Sequence, residues 1–177
     1  MSAPDELVVA GDPASCSRLG AVLRHEGARL SERRAGLAAT QHELAAWRGA
    51  AGDAARGHLA RQIVALGTCA DGLDRAGAEV QRYATDLAEA KALGRLAEQS
   101  ALTAGLRIVD GRVVEPWGVA RSADAARRLA LVPQVQMQVD AAQGAAERSR
   151  TELRRTVSEL TETFAVQSGR LRGMPRG

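Results

Sequence analysis

The sequence predicts an all-α protein: an elongated antiparallel helical hairpin or bundle with coiled-coil packing, plus a small β-hairpin and a long C-terminal helix. Three observations carry that prediction. The 177 residues include 36 Ala and 23 Arg, two of the strongest helix formers. Leucines recur at every seventh position over two long stretches, the signature of helices zipped together rather than laid on a sheet. Only 2% of the residues are aromatic, namely Trp47, Tyr83, Trp117 and Phe164. That is little ring area for a compact α/β enzyme core, where each ring buries roughly 150–250 Å². The length suits one domain: a single bundle over 12–167, a flexible N-terminus over 1–11, and a disordered basic tail over 168–177.

Each element has a local cause. Asp12-Pro13 is a helix start, with Asp as N-cap and Pro at the first helical position. It opens a helix over 13–46, in which Leu23, Leu30, Leu37 and Leu44 share a stripe. A second helix, 50–103, repeats Leu59, Leu66, Leu73, Val80 and Leu87 at the same step. The turn between them, 47–49, is Trp47-Arg48-Gly49. If the chain reverses there, Leu37 meets Leu59, Leu30 meets Leu66 and Leu23 meets Leu73, each pair summing to 96. At 1.5 Å per residue the first helix is ~50 Å long and the second ~80 Å. The second therefore overhangs, leaving Leu87, Leu93, Leu96 and Leu102 as an apolar strip that needs cover.

The remaining chain supplies further elements. Residues 106–114 read as a β-hairpin closed by Asp110-Gly111, a favoured two-residue turn, and end at Glu115-Pro116-Trp117-Gly118. A short helix over 122–131 is stopped by Pro133. A long helix over 134–167 places Val135, Val139, Ala142, Ala146, Leu153, Val157, Leu160 and Phe164 on one face.

Trp47-Arg48-Gly49 at a helix–helix reversal, Gly11-Asp12-Pro13 ahead of the first helix, and Gly49-Ala50-Ala51-Gly52-Asp53-Ala54 opening the second together resemble the WXG100 superfamily. These are helical-hairpin proteins of the type VII (ESX) secretion systems of Gram-positive bacteria, and larger WXG-like modules occur in actinobacteria. The resemblance covers about residues 11–103. It implies a non-enzymatic protein, an exported substrate or a helical partner, that works through protein–protein contact. It makes Trp47 and Gly49 the turn motif. The family's export signal sets a Tyr four residues before an acid, after the second helix. Here Tyr83 stands three residues before Asp86 and inside that helix, so either an exported chain uses a partner's signal or the chain is a non-exported relative.

Chemistry-bearing motifs are not evident. His25, His42 and His58 lack metal-ligand spacing, and no P-loop, G-x-S-x-G or G-x-G-x-x-G is present. No catalytic residue, metal site, cofactor or small-molecule substrate is therefore expected. Cys16 and Cys69 read as seam fillers rather than a disulfide. The net charge is +3, and the basic excess lies after residue 118, where Arg127-Arg128 and Arg148, Arg150, Arg154 and Arg155 cluster. Acids at Glu147, Glu152, Glu159 and Glu162 interleave with them, which favours a solvated helix face over nucleic-acid binding. The expected partner is another helical protein or a second copy, with Leu87, Leu93, Leu96 and Leu102 as the candidate partner-binding strip. The N-terminal stretch has neither a basic start nor an apolar core, and no run approaches the ~18–20 apolar residues of a membrane span. The expected location is outside the cell without a cleavable signal peptide, or the cytoplasm. The alternative to the secretion reading is a cytosolic coiled-coil adaptor or scaffold, followed by a basic nucleic-acid-binding bundle.

Overall fold

A computed structural model describes residues 8–116 and 122–172. Helix α1 spans Pro13–Glu43 and tightens into a single 3₁₀ turn over Leu44–Ala46. Helix α2 spans Ala50–Thr103, strands β1 and β2 span Arg107–Val109 and Arg112–Val114, and helix α3 spans Ser122–Arg172. The predicted start of α1 is built as expected, with the Asp12 carboxylate accepting a hydrogen bond from the Ala14 N–H at 3.1 Å. α2 ends where the sequence ends it, and the cause is a Schellman turn. Gly105 takes φ +68°, its N–H donates to the Leu102 carbonyl at 3.0 Å, and the Leu106 N–H donates to the Ala101 carbonyl at 2.8 Å.

The chain divides into two compact units, with α2 and α3 each contributing to both. Unit 1 comprises Met1–Ala14 and Tyr83–Glu152; unit 2 comprises Ser15–Arg82 and Leu153–Gly177.

In unit 2, α1 lies antiparallel on α2, and α3 antiparallel on α2. The register of α1 and α2 agrees with the sequence mirror to within one residue. Gly20 meets Gly77 and Gly27 meets Ala70, two pairs that each sum to 97. The contact is nevertheless not a leucine zipper. The buried residues of α1 are Gly20 and Gly27, while Leu23, Leu30 and Leu37 are half-buried beside them. A Cβ added at Gly20 would stand 2.8 Å from the Gly77 carbonyl oxygen, and one at Gly77 2.6 Å from that of Gly20. Only hydrogen fits there, so glycine allows the two backbones to touch. On the other side, the Phe164 ring of α3 lies on Gly72, where a Cβ would come within 2.5 Å of Cζ. Arg75 pairs with Glu159 at 2.7 Å, and Gln167 donates to the Thr68 hydroxyl at 3.1 Å.

Unit 1 is built by filling rather than by close approach. Leu87, Ala90, Ala97 and Ala101 of α2 pack with Val135, Val139, Ala142 and Ala146 of α3 in one cluster with Val8, Val9, Leu106 and Val113. The flexible N-terminus expected over 1–11 is thus corrected at its end. Val8 and Val9 are buried in the core, the Val8 N–H donates to the Glu98 carboxylate at 3.3 Å, and Lys91 Nζ donates to the Gly11 carbonyl at 2.7 Å. Two apolar side chains finding a groove outweigh the freedom of a short end.

The β-hairpin stands as predicted. Ile108 faces Val113 across an antiparallel pair, and Asp110 and Gly111 take φ 50° and 74°, the two positive values that a type I′ turn requires.

Two expectations about the C-terminal third are overturned. Pro133 does not separate two helices; it lies inside a continuous α3. A proline within a helix costs ~3 kcal/mol. Pro133 occupies an exposed position, and Leu131, Val132 and Val135 around it pack on the core. A fully buried aliphatic contributes about 1.5–3 kcal/mol, so burial on both sides offsets the break. The helix also continues past residue 167 to Arg172, so the first half of the expected disordered tail is helical. Trp117 and residues 173–177 lie outside the described residues.

Candidate functional site

The reversal motif belongs to unit 2 and is more elaborate than its three letters. The Trp47 N–H closes the 3₁₀ turn on the Leu44 carbonyl at 3.1 Å, after which Trp47 extends to ψ 110°. Gly49 takes φ +96°, a conformation that side chains disfavour, and its carbonyl accepts the Asp53 N–H at 3.0 Å to start α2. Gly52 is required as well, since a Cβ there would collide with the Trp47 carbonyl.

Arg56 locks this corner. One guanidinium nitrogen donates to the carbonyls of Leu44 at 2.9 Å and Trp47 at 2.6 Å, and the other pairs with Asp53. Arg56 thereby adds a donor to the Leu44 carbonyl, which the Trp47 N–H already uses, and to the Trp47 carbonyl just beyond it, and a cation near a helix C-terminus is favoured by the helix dipole. Gln41 donates to the Arg56 carbonyl at 3.2 Å. The sequence singled out Trp47 and Gly49 as the turn motif, carried Gly52 only within the run that follows it, and missed Arg56. The signal for Arg56 was present in the Asp53/Arg56 spacing of one helical turn. The Trp47 side chain is 49% exposed, so its ring presents surface at the corner rather than plugging a core.

The candidate partner-binding strip belongs to unit 1 and divides in two. Leu87 is corrected: at 1% exposure it is core, closed over by the N-terminal segment, where a Cβ on Gly11 would stand 2.9 Å from a Leu87 methyl. Leu93, Leu96 and Leu102 are 43%, 57% and 79% exposed; Leu93 and Leu96 share one side of α2, whereas Leu102, nine residues from Leu93, faces the opposite side and falls outside the strip. Beside them Ser149 donates to the Asp86 carboxylate at 2.7 Å. The Arg150 guanidinium is held above its usual pKa, chiefly by its hydrogen bond to the Tyr83 hydroxyl, with Glu147 adding to the effect. Tyr83 thus serves a contact between α2 and α3.

Cys16 and Cys69 are free thiols, both half-buried. Among the described residues no group of three or more His, Cys, Asp or Glu is gathered to hold a metal ion, and no helix is long and apolar enough to cross a membrane. Searches of protein-family models, curated proteins and solved structures found no match to this chain.

Proposed function

We propose that this chain is a non-enzymatic WXG100-like helical protein associated with type VII secretion, as exported substrate or helical partner, and that it acts through protein–protein contact. The observation that carries this reading is the corner at Trp47-Arg48-Gly49, where two long helices reverse with a half-exposed Trp at the tip. The Gly52 and Arg56 contacts that hold the corner support it, because they tie the Trp-x-Gly residues to the reversal itself. The working surface includes Leu93 and Leu96, exposed on one side of α2, the kind of face a helix in a groove uses.

The test is fractionation of the native host. Full-length protein in the culture supernatant, lost when the secretion ATPase of a type VII system is deleted, is the expected result. Retention in the cytosol in both strains would sink the secretion reading and leave the adaptor alternative. Mobility shift of DNA that vanishes steeply with added salt would point instead to the nucleic-acid reading.

A further inference from the structure

Unit 1 contains an open groove whose residues keep helical phase along both of its helices. Two clefts, of about 780 Å³ and 390 Å³, lie between α2 and α3. Their α2 lining recurs at steps of three and four from Asp86 to Thr103, and their α3 lining does the same from Asp124 to Glu152. Such spacing marks one face of each helix, so the clefts are successive stretches of one two-helix groove. It runs ~26 Å along α2 at 1.5 Å per residue. Leu93 and Leu96 project from its middle at 43% and 57% exposure. The other flank of α2 is already covered by Val8 and Gly11.

The ends of the groove differ in charge. One end carries Asp86, Glu89 and Glu152 against Arg148, a surplus of two negative charges. The other carries Arg127 and Arg128 against Asp124, a surplus of one positive charge. Arg128 shares its charge with Glu115 at 3.1 Å, whereas Arg127 has no ion pair among the described residues. Glu152 also interacts within its own chain.

These positions are related by a mirror. Ser149 bonds Asp86, so an α3 residue n lies level with α2 residue about 235 − n, which places Arg127 at level ~108 and Glu152 at level ~83 for antiparallel helices of equal rise. Their midpoint is ~95, between Leu93 and Leu96, on the same rise. A twofold axis through that point stacks Leu93 of each copy on Leu96 of the other and sets Arg127 of each copy opposite Glu152 of the other. We propose that the groove is the interface for a second copy of this chain, docked antiparallel about that axis. A self-complementary patch of this kind is what an isologous dimer needs. A groove ~26 Å by roughly 20 Å covers ~500 Å² per copy, near the lower bound for a specific interface, so the dimer is weak, with a Kd of roughly micromolar order. This inference does not depend on the secretion reading and stands or falls separately from it.

The experiment is analytical ultracentrifugation of the full chain up to about 100 µM, well above such a Kd, with circular dichroism confirming helicity of every variant. Wild type is expected to dimerise reversibly, and Leu93→Asp/Leu96→Asp to sediment as monomer. Arg127→Glu alone and Glu152→Arg alone set like charges against each other in the dimer, and each is expected to weaken association about tenfold or more. An equimolar mixture of these two variants restores opposite charges at both contacts and is expected to recover the wild-type affinity. That recovery is specific to an antiparallel pair and cannot arise from misfolding. A wild-type chain that stays monomeric overturns the proposal and leaves the groove to a helix of another protein. A dimer that survives the Leu93/Leu96 change, or a mixture no tighter than its components, also overturns it.

Discussion

The two units solve the same problem, joining α2 to its neighbours, by opposite means. In unit 2 the α1–α2 contact is made by removing side chains: Gly20, Gly27 and Gly77 let backbones meet. In unit 1 the α2–α3 contact is made by supplying them: Leu87, Val135 and Val139 fill the space, with Ala90, Ala97, Ala142 and Ala146 as thin spacers. The lesson concerns what each site tolerates. A glycine contact fails when atoms are added, because a neighbouring backbone cannot rotate aside; a filled core fails when atoms are removed, because a void forfeits contacts.

The sharpest way to break this contrast is Leu87→Ala. Leu87 is 1% exposed and central to its cluster, so the change is expected to cost about 2–5 kcal/mol, read from urea unfolding with hydrogen exchange to localise the loss to unit 1. Gly77→Ala adds one methyl to unit 2, where it would meet the Gly20 carbonyl at 2.6 Å. Despite alanine's better helix propensity, a loss of about 1–3 kcal/mol is expected from overpacking, confined to unit 2 by the same exchange measurement. Gly36→Ala is the same chemical change where nothing lies within 4 Å. It is expected to stabilise α1 by about 0.5–1 kcal/mol, seen as a raised melting temperature, and a loss there would refute the close-approach account of Gly77. The smallest effect is Arg75→Ala. Its pair with Glu159 is 57% and 48% exposed, and exposed pairs contribute about 0.2–1 kcal/mol, less in salt. A penalty that survives 1 M salt would show that the contact between α2 and α3 in unit 2 depends on this pair more than on Phe164 packing against Gly72.

What could be read from the sequence follows the same contrast. Backbone punctuation was legible: Asp12-Pro13, the turn at residue 49, the stop near residue 103 and the Asp110-Gly111 turn each have a local physical cause, and each stands. The antiparallel register was legible to one residue because heptads fix phase. The nature of the contact was not. Leucine periodicity drew attention to Leu23, Leu30 and Leu37, whereas burial falls on Gly20 and Gly27, which sequence reasoning treats as helix-weakening residues. Leu87 was misassigned for a different reason: it is covered by Val8–Gly11, nearly eighty positions earlier in the chain, and no local pattern reports a fold-back of that span. Pro133 misled because its cost is local, while the burial that offsets it is tertiary. At the corner, Trp47 and Gly49 were legible as a motif, whereas Arg56 offered only its spacing from Asp53, since the rest of its role lies in carbonyls that only the folded turn exposes.

Gln136 carries one more consequence. In a two-residue hairpin the Val113 N–H points away from β1, and here it donates to the Gln136 side chain at 2.8 Å, while that amide's nitrogen donates to the Gly111 carbonyl at 3.0 Å. A single amide therefore stands where a third strand would otherwise bind, occupying both a donor and an acceptor on the open border of β2. Exposed strand borders are templates for fibrous self-association, and on the β2 side Gln136 takes up the donor and the acceptor that such a template would offer.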